Sequence, residues 1–389
     1  MDNFNFYSPT YFAFGKGKEN EVGSLVKRFG GTKVLLHYGG GSIKANGVYD
    51  SVTKSLQEAD IPYVELGGVK PNPRSGLVYE GIELCRKEGV DFILAVGGGS
   101  TIDSAKAIAA GVPYDGDFWD YYRTTMPVDV AVPLGTVLTI AAAGSEGSGD
   151  SVITNEENML KWAASGDALR PKFSVLNPEF TCSLGAYQTA CGITDIMVHV
   201  CERYFTNTKN VETTDRLCEA VLKAMIEESP KVMADLTNYE ARANIMWAGM
   251  VAHNNVVGVG RAQDWASHDI EHELSSWYDC AHGAGLAVIC PAWMKFVYKH
   301  DVNRFAQFAV RVWDCDMDFA NPERTALAGI AKWEEFLASI GMPLSFAEVG
   351  AKEEDIPMMV EHLGKRGGVG GFVRILDKEA EEIFRLAVR

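Results

Sequence analysis

An α/β N-terminal domain with a mostly parallel sheet, followed by an all-α C-terminal domain, is the fold class this sequence predicts. Three observations predict it. The first 180 or so residues alternate short apolar strands with helical stretches. Glycine runs follow two of those strands, and beyond residue 181 strand-like alternation gives way to long helical segments. A chain of 389 residues favours two domains over one, drawn here at 1–180 and 181–389.

Taken in order, residues 33–38 (K-V-L-L-H-Y) are a continuous apolar run closed by glycines, the pattern of a buried strand. A helix over 48–59 follows, then a strand over 62–66, a helix over 76–88 and a second buried strand over 91–96 (D-F-I-L-A-V). Strands joined through helices need crossover connections, which makes the sheet parallel and covers both its faces. The boundary falls at 177–183, and residues 211–228 and 242–251 beyond it carry helical periodicity. No internal repeat or low-complexity tract interrupts either part.

Composition narrows the function classes. A hydrophobic content of 47% suits a globular protein with a proper core, and a formal charge of −16 argues against nucleic acid as a partner. No apolar run reaches transmembrane length, so no membrane role is expected. The N-terminal M-D-N-F-N-F-Y-S-P-T lacks a basic segment followed by an apolar signal core, which makes a cytoplasmic location the expectation. The 8 cysteines are scattered without a C-x-x-C pair, arguing for reduced, mostly buried thiols rather than a thiolate metal site.

The glycine runs point to a phosphate ligand. Gly97, Gly98 and Gly99 follow the strand over 91–96, and Ser100 is expected at the N-cap of the next helix. Free amides and the positive end of a helix dipole then face the loop. Glycines also serve plain tight turns, but the order strand, glycines, helix is the context a pyrophosphate needs. This makes the N-terminal domain Rossmann-like and dinucleotide-binding. The strand over 33–38 ends in Gly39, Gly40, Gly41 and Ser42, with Lys44 just beyond. An acidic residue near such a strand end favours NAD by bonding the ribose 2′-hydroxyl. Here the loop holds amides, a hydroxyl and an ammonium instead, so NADP(H) is favoured over NAD(H).

The second chemical signal is a histidine cluster. Of 8 histidines, His268, His272 and His282 fall within H-D-I-E-H-E-L-S-S-W-Y-D-C-A-H. Upstream, Asp195 and His199 are four apart and share one helix face. One aspartate and three histidines, completed from His268, His272 and His282, suit Fe²⁺ or Zn²⁺ and leave a position for substrate. Apolar neighbours strengthen the reading: Ile196, Met197 and Val198 at one cluster, Leu286 to Ile289 after the other. Polar groups in such surroundings are costly without a partner. His253 is read as structural, His37 as lying near the cofactor loop, and His300 and His362 as surface residues. Trp247 and Trp277 are read as core, with Trp265 the best candidate for a pocket wall.

Together the motifs resemble the iron-containing (group III) alcohol dehydrogenase family, particularly its butanol dehydrogenase branch. The resemblance rests on P-N-P (71–73), G-G-G-S-x-x-D (97–103), L-T-x-x-x-x-G-S-E (138–146), T-D-x-M-x-H-x-x-E-x-Y (194–204), D-W-A-S-H-x-x-x-H-E-L (264–274) and H-G-x-G-L-A (282–287). It implies a metal held by Asp195, His199, His268 and His282, with Fe²⁺ expected and Zn²⁺ the alternative. His272 matches a histidine near the metal that is not a ligand and is read as the catalytic proton relay. The cofactor residues implied are Gly39–Ser42, Asn72, Gly97–Ser100, Asp103, Thr139 and Lys161. Ala143 departs from the hydroxyl residue often found before G-S-E, which puts that contact with the nicotinamide side in doubt. The activity implied is reversible oxidation of primary alcohols and reduction of aldehydes such as butanal, with hydride transfer and the metal as Lewis acid, in a homodimer. The rival readings are a glycerol-dehydrogenase-like zinc polyol enzyme, a dehydroquinate-synthase-like lyase and a nucleotide-binding sensor without turnover.

Overall fold

The computed structural model describes residues 1–124 and 126–388. They form two compact units. One comprises Tyr7–Leu184 with Leu236–Asn254; the other comprises Met1–Phe6, Gly185–Asp235 and the chain from Asn255 onward.

The first unit carries strands β1 (Tyr11–Phe14), β2 (Val34–Tyr38), β3 (Tyr63–Leu66), β4 (Phe92–Gly97), β5 (Leu134–Leu138), β6 (Asp150–Thr154), β7 (Lys161–Ser165) and β8 (Phe173–Leu176). Six of them form one sheet in the order β1-β8-β5-β4-β2-β3, with every pairing parallel. β6 and β7 form a separate antiparallel ribbon that periodicity did not reveal. Helices α1 (Val22–Arg28), α2 (Ser42–Ala45), α3 (Val48–Glu58), α4 (Ser75–Glu88), α5 (Gly99–Gly111) and α6 (Asp120–Arg123) belong to the same unit.

The apolar run of β4 is continuous because both faces of this strand are covered. Ile93 and Ala95 join one core cluster with Ile102 and Ile108 of α5, while Phe92, Leu94 and Val96 join another with Val52 and Leu56 of α3. Alternating side chains thus serve two cores, as a central parallel strand requires.

The second unit is helical. It holds α7 (Ala186–Tyr204) and α8 (Glu212–Ala234); α9 (Tyr239–His253) follows in sequence but packs with the sheet unit. There Met246 enters the core beside β4, and Gly144 meets α9 so closely that a Cβ would stand 2.6 Å from the Gly249 carbonyl. Then come α10 (Ala266–Tyr278), α11 (His282–Val297), α12 (Val302–Trp313), α13 (Pro322–Ser339), α14 (Ile356–Gly364) and α15 (Asp377–Val388). The fold is a parallel six-stranded α/β domain with a helical C-terminal region, as expected.

Three readings of single residues are corrected. Trp247 and Trp277 are 44% and 40% exposed, not core. Trp247 lies on α9 edge-on to Phe12 and Phe14 of edge strand β1, where no further strand covers it. His362 is buried rather than on the surface, because its Nδ1–H donates to the Glu273 carboxylate and its ring meets the Trp277 edge.

Candidate functional site

In the sheet unit, β2 and β4 are neighbours, yet the chain leaves β2 toward β3 on one side and returns to β4 on the other. This is the point where strand order reverses, and the crevice beyond the carboxyl ends of such strands is where α/β sheets hold ligands. Both glycine loops open there. Tyr38 pairs with Val96 and Gly97 with Leu138, so Gly39, Gly98 and Thr139 succeed three adjacent strand ends.

The two loops owe their glycines to different causes. A Cβ on Gly97 would stand 2.4 Å from Thr101 Oγ1, so close packing of α5 excludes a side chain there, and one on Gly98 would stand 3.0 Å from Ile140 just after β5, a tight contact. Gly40 and Gly41 meet nothing within 4 Å. Nothing in this chain requires glycine at those two positions; a ligand lying across the backbone would. Ser100 is not the N-cap. Gly98 caps α5 in an extended conformation and the helix begins at Gly99, because unhindered glycine lets the turn start earlier. Gly99 and Ser100 therefore lie in the first turn, where amides lack intrahelical partners. Ala143 borders this turn, since a Cβ on Gly99 would stand 3.0 Å from its methyl.

The remaining expected cofactor residues fall in two groups. Asn72, in a left-handed conformation between two prolines, accepts a 2.9 Å hydrogen bond from Lys161 Nζ. Asp103 faces inward. Its carboxylate accepts from Ser145 Oγ at 2.6 Å and the Val152 amide at 3.1 Å, and burial raises its pKa against the pull of Lys106. Lys106 went unremarked in the sequence. Fully buried, its ammonium donates to the carbonyls of Ser145, Ser148 and Asp150 at 2.7–2.9 Å and so ties the G-S-E segment to α5. Burial lowers its pKa to about 8, with the Asp103 and Asp150 charges opposing. His37 is buried beneath, held by the Leu66 carbonyl and Ser104 Oγ, and burial takes its pKa down to about 4. It is a neutral structural histidine.

Around the first glycine loop the structure adds a carboxylate that reading the loop alone missed. Glu65 on β3 accepts from the Tyr38 and Tyr49 hydroxyls at 2.8 and 2.6 Å, and Lys44 Nζ sits 5.1 and 4.7 Å from the centroids of those two rings.

The histidine cluster assembles within the helical unit. Asp195, His199 and Glu202 follow one another at i, i+4 and i+7 along one face of α7; His268, Glu271 and His272 do so at i, i+3 and i+4 on α10. His282 opens α11. The H-G-x-G motif lets these helices meet: a Cβ on Gly283 would stand 2.1 Å from the Cys191 carbonyl, and one on Gly285 would stand 2.5 Å from Glu271 Oε1.

Asp195 Oδ1 is the centre. His268 Nε2 lies 3.4 Å from it, His199 Nδ1 3.6 Å and His282 Nε2 3.8 Å. Ligand atoms each about 2.1 Å from one tetrahedral ion lie about 3.4 Å apart, so these separations suit a shared cation better than direct hydrogen bonds. Asp195, His268 and His282 place ligand atoms within 4.8 Å of one another; His199 joins through Asp195 and by stacking on His268, centroids 4.5 Å apart. One carboxylate with neutral imidazoles fits Fe²⁺ or Zn²⁺. His272 lies outside this set, with Glu271 and His282, and its Nδ1 accepts from Arg366 at 3.2 Å.

Two glutamates complete the arrangement. The Nδ1–H groups of His268 and His282 donate to the fully buried carboxylates of Glu202 and Glu271, which turns both Nε2 atoms toward Asp195. Carboxylate–histidine–metal relays have this form. Burial disfavours charge on His268, yet the Glu202 and Asp195 carboxylates raise its pKa to about 10, a field that favours positive charge at this point. Glu202→Gln keeps the shape and removes the charge; we expect iron affinity to fall about 10- to 100-fold, read by competition with a chelator.

Trp265 adopts a left-handed conformation at the N-cap of α10, with its ring 5.9 and 5.6 Å from those of His199 and His268 and the Arg203 guanidinium 4.6 Å away. It braces the cluster.

Known proteins share this chain's sequence and fold. Residues 9–178 match the family model described as iron-containing alcohol dehydrogenase, and residues 189–388 match that for the C-terminal part of the Fe-containing alcohol dehydrogenase family. The chain is 44% identical, over 100% of both chains, to a probable NADH-dependent butanol dehydrogenase 2 of Bacillus subtilis. It is 36% identical, over 94% of both, to the NADPH-dependent aldehyde reductase YqhD of Escherichia coli. The crystal structure of NADH-dependent butanol dehydrogenase A from Thermotoga maritima superposes with a TM-score of 0.96 at 39% identity, covering 100% of this chain and 99% of that one.

Proposed function

The chain belongs to the iron-containing alcohol dehydrogenase family, an NAD(P)-linked and metal-dependent class of oxidoreductase, and on that premise we propose that it interconverts primary alcohols and aldehydes of the butanol/butanal type. The observation that carries this is the convergence of Asp195, His199, His268 and His282 with Glu202 and Glu271 behind them.

When bound, the nicotinamide supplies hydride donation or acceptance, and the divalent ion supplies Lewis acidity worth on the order of several kcal/mol. The chain's residues do the rest. Asp195 and the three histidines hold the ion, Fe²⁺ being the expected one and Zn²⁺ the alternative the same donors suit. Glu202 and Glu271 fix the two imidazole tautomers. Ile196, Met197 and Val198, fully buried on α7, keep water from the helix that carries Asp195. His272 receives and returns the proton of the alcohol group. Gly39, Gly40, Gly41 and Ser42, with Gly97, Gly98, Gly99 and Ser100, seat the phosphates. Asn72, Thr139 and Lys161 border the cofactor, and Asp103 orders the loop from beneath.

We read NADP(H) as the favoured cofactor. Of the relatives named above, the Bacillus and Thermotoga enzymes are called NADH-dependent and the Escherichia enzyme NADPH-dependent, so both cofactors occur among them and the proposed preference rests on local charge. Lys44 beside the open Gly40–Gly41 backbone, with the Glu65 carboxylate already bonded by two phenols, supports a 2′-phosphate. Protein loaded with Fe²⁺ is expected to oxidise NADPH in the presence of butanal, faster than NADH under matched conditions. Turnover with NADH alone would remove the phosphate assignment; none with either would remove the reading itself.

We also propose a homodimer in the cytoplasm. Edge strand β1 leaves Tyr11 and the neighbouring Trp247 exposed, an apolar margin suited to a second copy. Light scattering should give twice the mass of one chain. All 8 cysteines are free thiols, as a reducing compartment requires, and no helix among the described residues is long and apolar enough to cross a membrane.

A further inference from the structure

The chain that follows β5 starts at the strand ends and reaches β6 through a stretch with little regular structure. Its first part borders the phosphate loop: the Thr139 amide donates to the Gly97 carbonyl at 3.0 Å, and Ala143 stands against Gly99. Past the left-handed turn at Gly144, every carbonyl from 145 to 150 accepts a hydrogen bond from another part of the chain. Ser174 Oγ takes that of Glu146, Arg170 that of Gly147 and the Gly166 amide that of Gly149. Those of Ser145, Ser148 and Asp150 converge on one atom, Lys106 Nζ.

Lys106 is fully buried on α5. An ammonium has three donors and no acceptor, and the three carbonyls lie 2.7, 2.9 and 2.8 Å from it. Two hydroxyls complete the shell, Ser145 Oγ at 2.8 Å and Ser148 Oγ at 3.3 Å. Ser145 Oγ donates its own proton to Asp103 at 2.6 Å, so it turns a lone pair toward the nitrogen. Oxygens thus enclose one positive charge, much as carbonyl-lined sites replace the hydration shell of a potassium ion. A neutral amine would instead set its own lone pair against one of the carbonyls. Burial lowers the pKa to about 8, while Asp103, Asp150 and Glu146 support the charge and Arg170 opposes it, so the cation persists at neutral pH.

We propose that Lys106 is a positioning residue for the nicotinamide cofactor: its ammonium is a tethered monovalent cation around which residues 145–150 are wrapped, and the wrapped segment holds the wall at 139–143 in place beside the first turn of α5. The proposal rests on reading that turn as the seat of the cofactor phosphates. Lys106 is buried too deeply to touch the nucleotide and acts through the loop. A purely space-filling role would be met by any side chain of the same size; a tethered cation requires the charge.

The test compares Fe²⁺-loaded wild type with Lys106→Ala, which leaves room for a small cation, and Lys106→Met, which fills the space without charge. NADPH binding is read by cofactor fluorescence, and turnover with butanal, in ammonium, potassium or tetramethylammonium chloride at equal ionic strength. In the tetramethylammonium salt both variants are expected to bind NADPH about tenfold more weakly than wild type, the worth of a hydrogen bond to a charged group. The KM for NADPH should rise equally, while the KM for butanal and kcat at saturating NADPH stay within about twofold, a split that general destabilisation would not give. Ammonium or potassium should restore affinity in Lys106→Ala but not in Lys106→Met, and leave wild type unchanged. A wild type that binds neither NADPH nor NADH would remove the cofactor reading and the proposal with it. If wild type binds and Lys106→Ala binds equally well, or if the three salts act alike on that variant, the cofactor reading stands and the tethered cation is overturned. Should Lys106→Ala fold only with ammonium or potassium, the cation role is supported. Should it fold in no salt, Lys106→Met decides, and affinity within about twofold of wild type, or failure of this variant to fold as well, overturns the proposal.

Discussion

Replacing Asp195 with alanine empties the cation pocket and lowers butanal reduction by at least about a thousandfold, since several kcal/mol of Lewis-acid stabilisation is lost at 1.36 kcal/mol per tenfold. The geometry singles out this residue. Its Oδ1 is the atom to which His268, His199 and His282 all turn, at 3.4, 3.6 and 3.8 Å, and it is the one carboxylate in that set. Glu202 and Glu271 cannot replace it, because each is engaged by an imidazole Nδ1–H on the far side of its ring. Without Asp195 a dication would sit among neutral imidazoles in a buried site, where uncompensated charge is expensive. The residues read as holding the nucleotide belong to the other compact unit and none of them is a ligand of the ion, so NADPH affinity should stay within about twofold of wild type. Plasma mass spectrometry gives the iron content, cofactor fluorescence the binding and NADPH consumption the rate. Full iron occupancy in the variant would refute the ligand assignment, whatever the rate.

Much of this site was legible because its signals are local. The i, i+4 spacing of Asp195 and His199 and of His268 and His272 puts each pair on one helix face before any tertiary contact is known. The buried strands 33–38 and 91–96 announced themselves as apolar runs and emerged as β2 and β4. What stayed hidden depends on pairing across the chain. Glu202 and Glu271 are two of 52 acidic residues, and only the meeting of α7, α10 and α11 sets them behind particular histidines. Arg366 stands 94 positions from His272. The absence of a carboxylate was judged from the loop after β2, whereas Glu65 arrives from the neighbouring strand β3. His362 looked like a surface residue because the Glu273 that shares its proton lies 89 positions away. Periodicity reports which face is buried, not which polar groups meet there.

The hidden Glu65 makes cofactor choice the sharpest remaining test of the glycine loop. Gly40→Asp should lower kcat/KM for NADPH about a hundredfold while leaving NADH within about threefold: a unit charge about 5 Å from a phosphate costs about 3 kcal/mol at an effective dielectric of about 20, or about two decades in rate. Within the chain a Cβ at Gly40 meets nothing within 4 Å, and the backbone there is not in the left-handed region that demands glycine. A clash with the bound nucleotide would burden both cofactors, so the difference between them is the effect of charge. The native loop stands near balance, with the Glu65 carboxylate held by Tyr38 and Tyr49 at 2.8 and 2.6 Å and Lys44 4.7 Å from the Tyr49 ring. One added carboxylate tips that balance, because the ammonium of Lys44 can no longer offset both acids against a phosphate. An acid at this strand end also bonds a ribose 2′-hydroxyl, which is why NADH should be spared. Equal losses with both cofactors would instead mean that the loop had been displaced. If neither rate changed, the 2′-phosphate does not lie at Gly39–Ser42, and the open backbone of Gly40 and Gly41 would need another occupant.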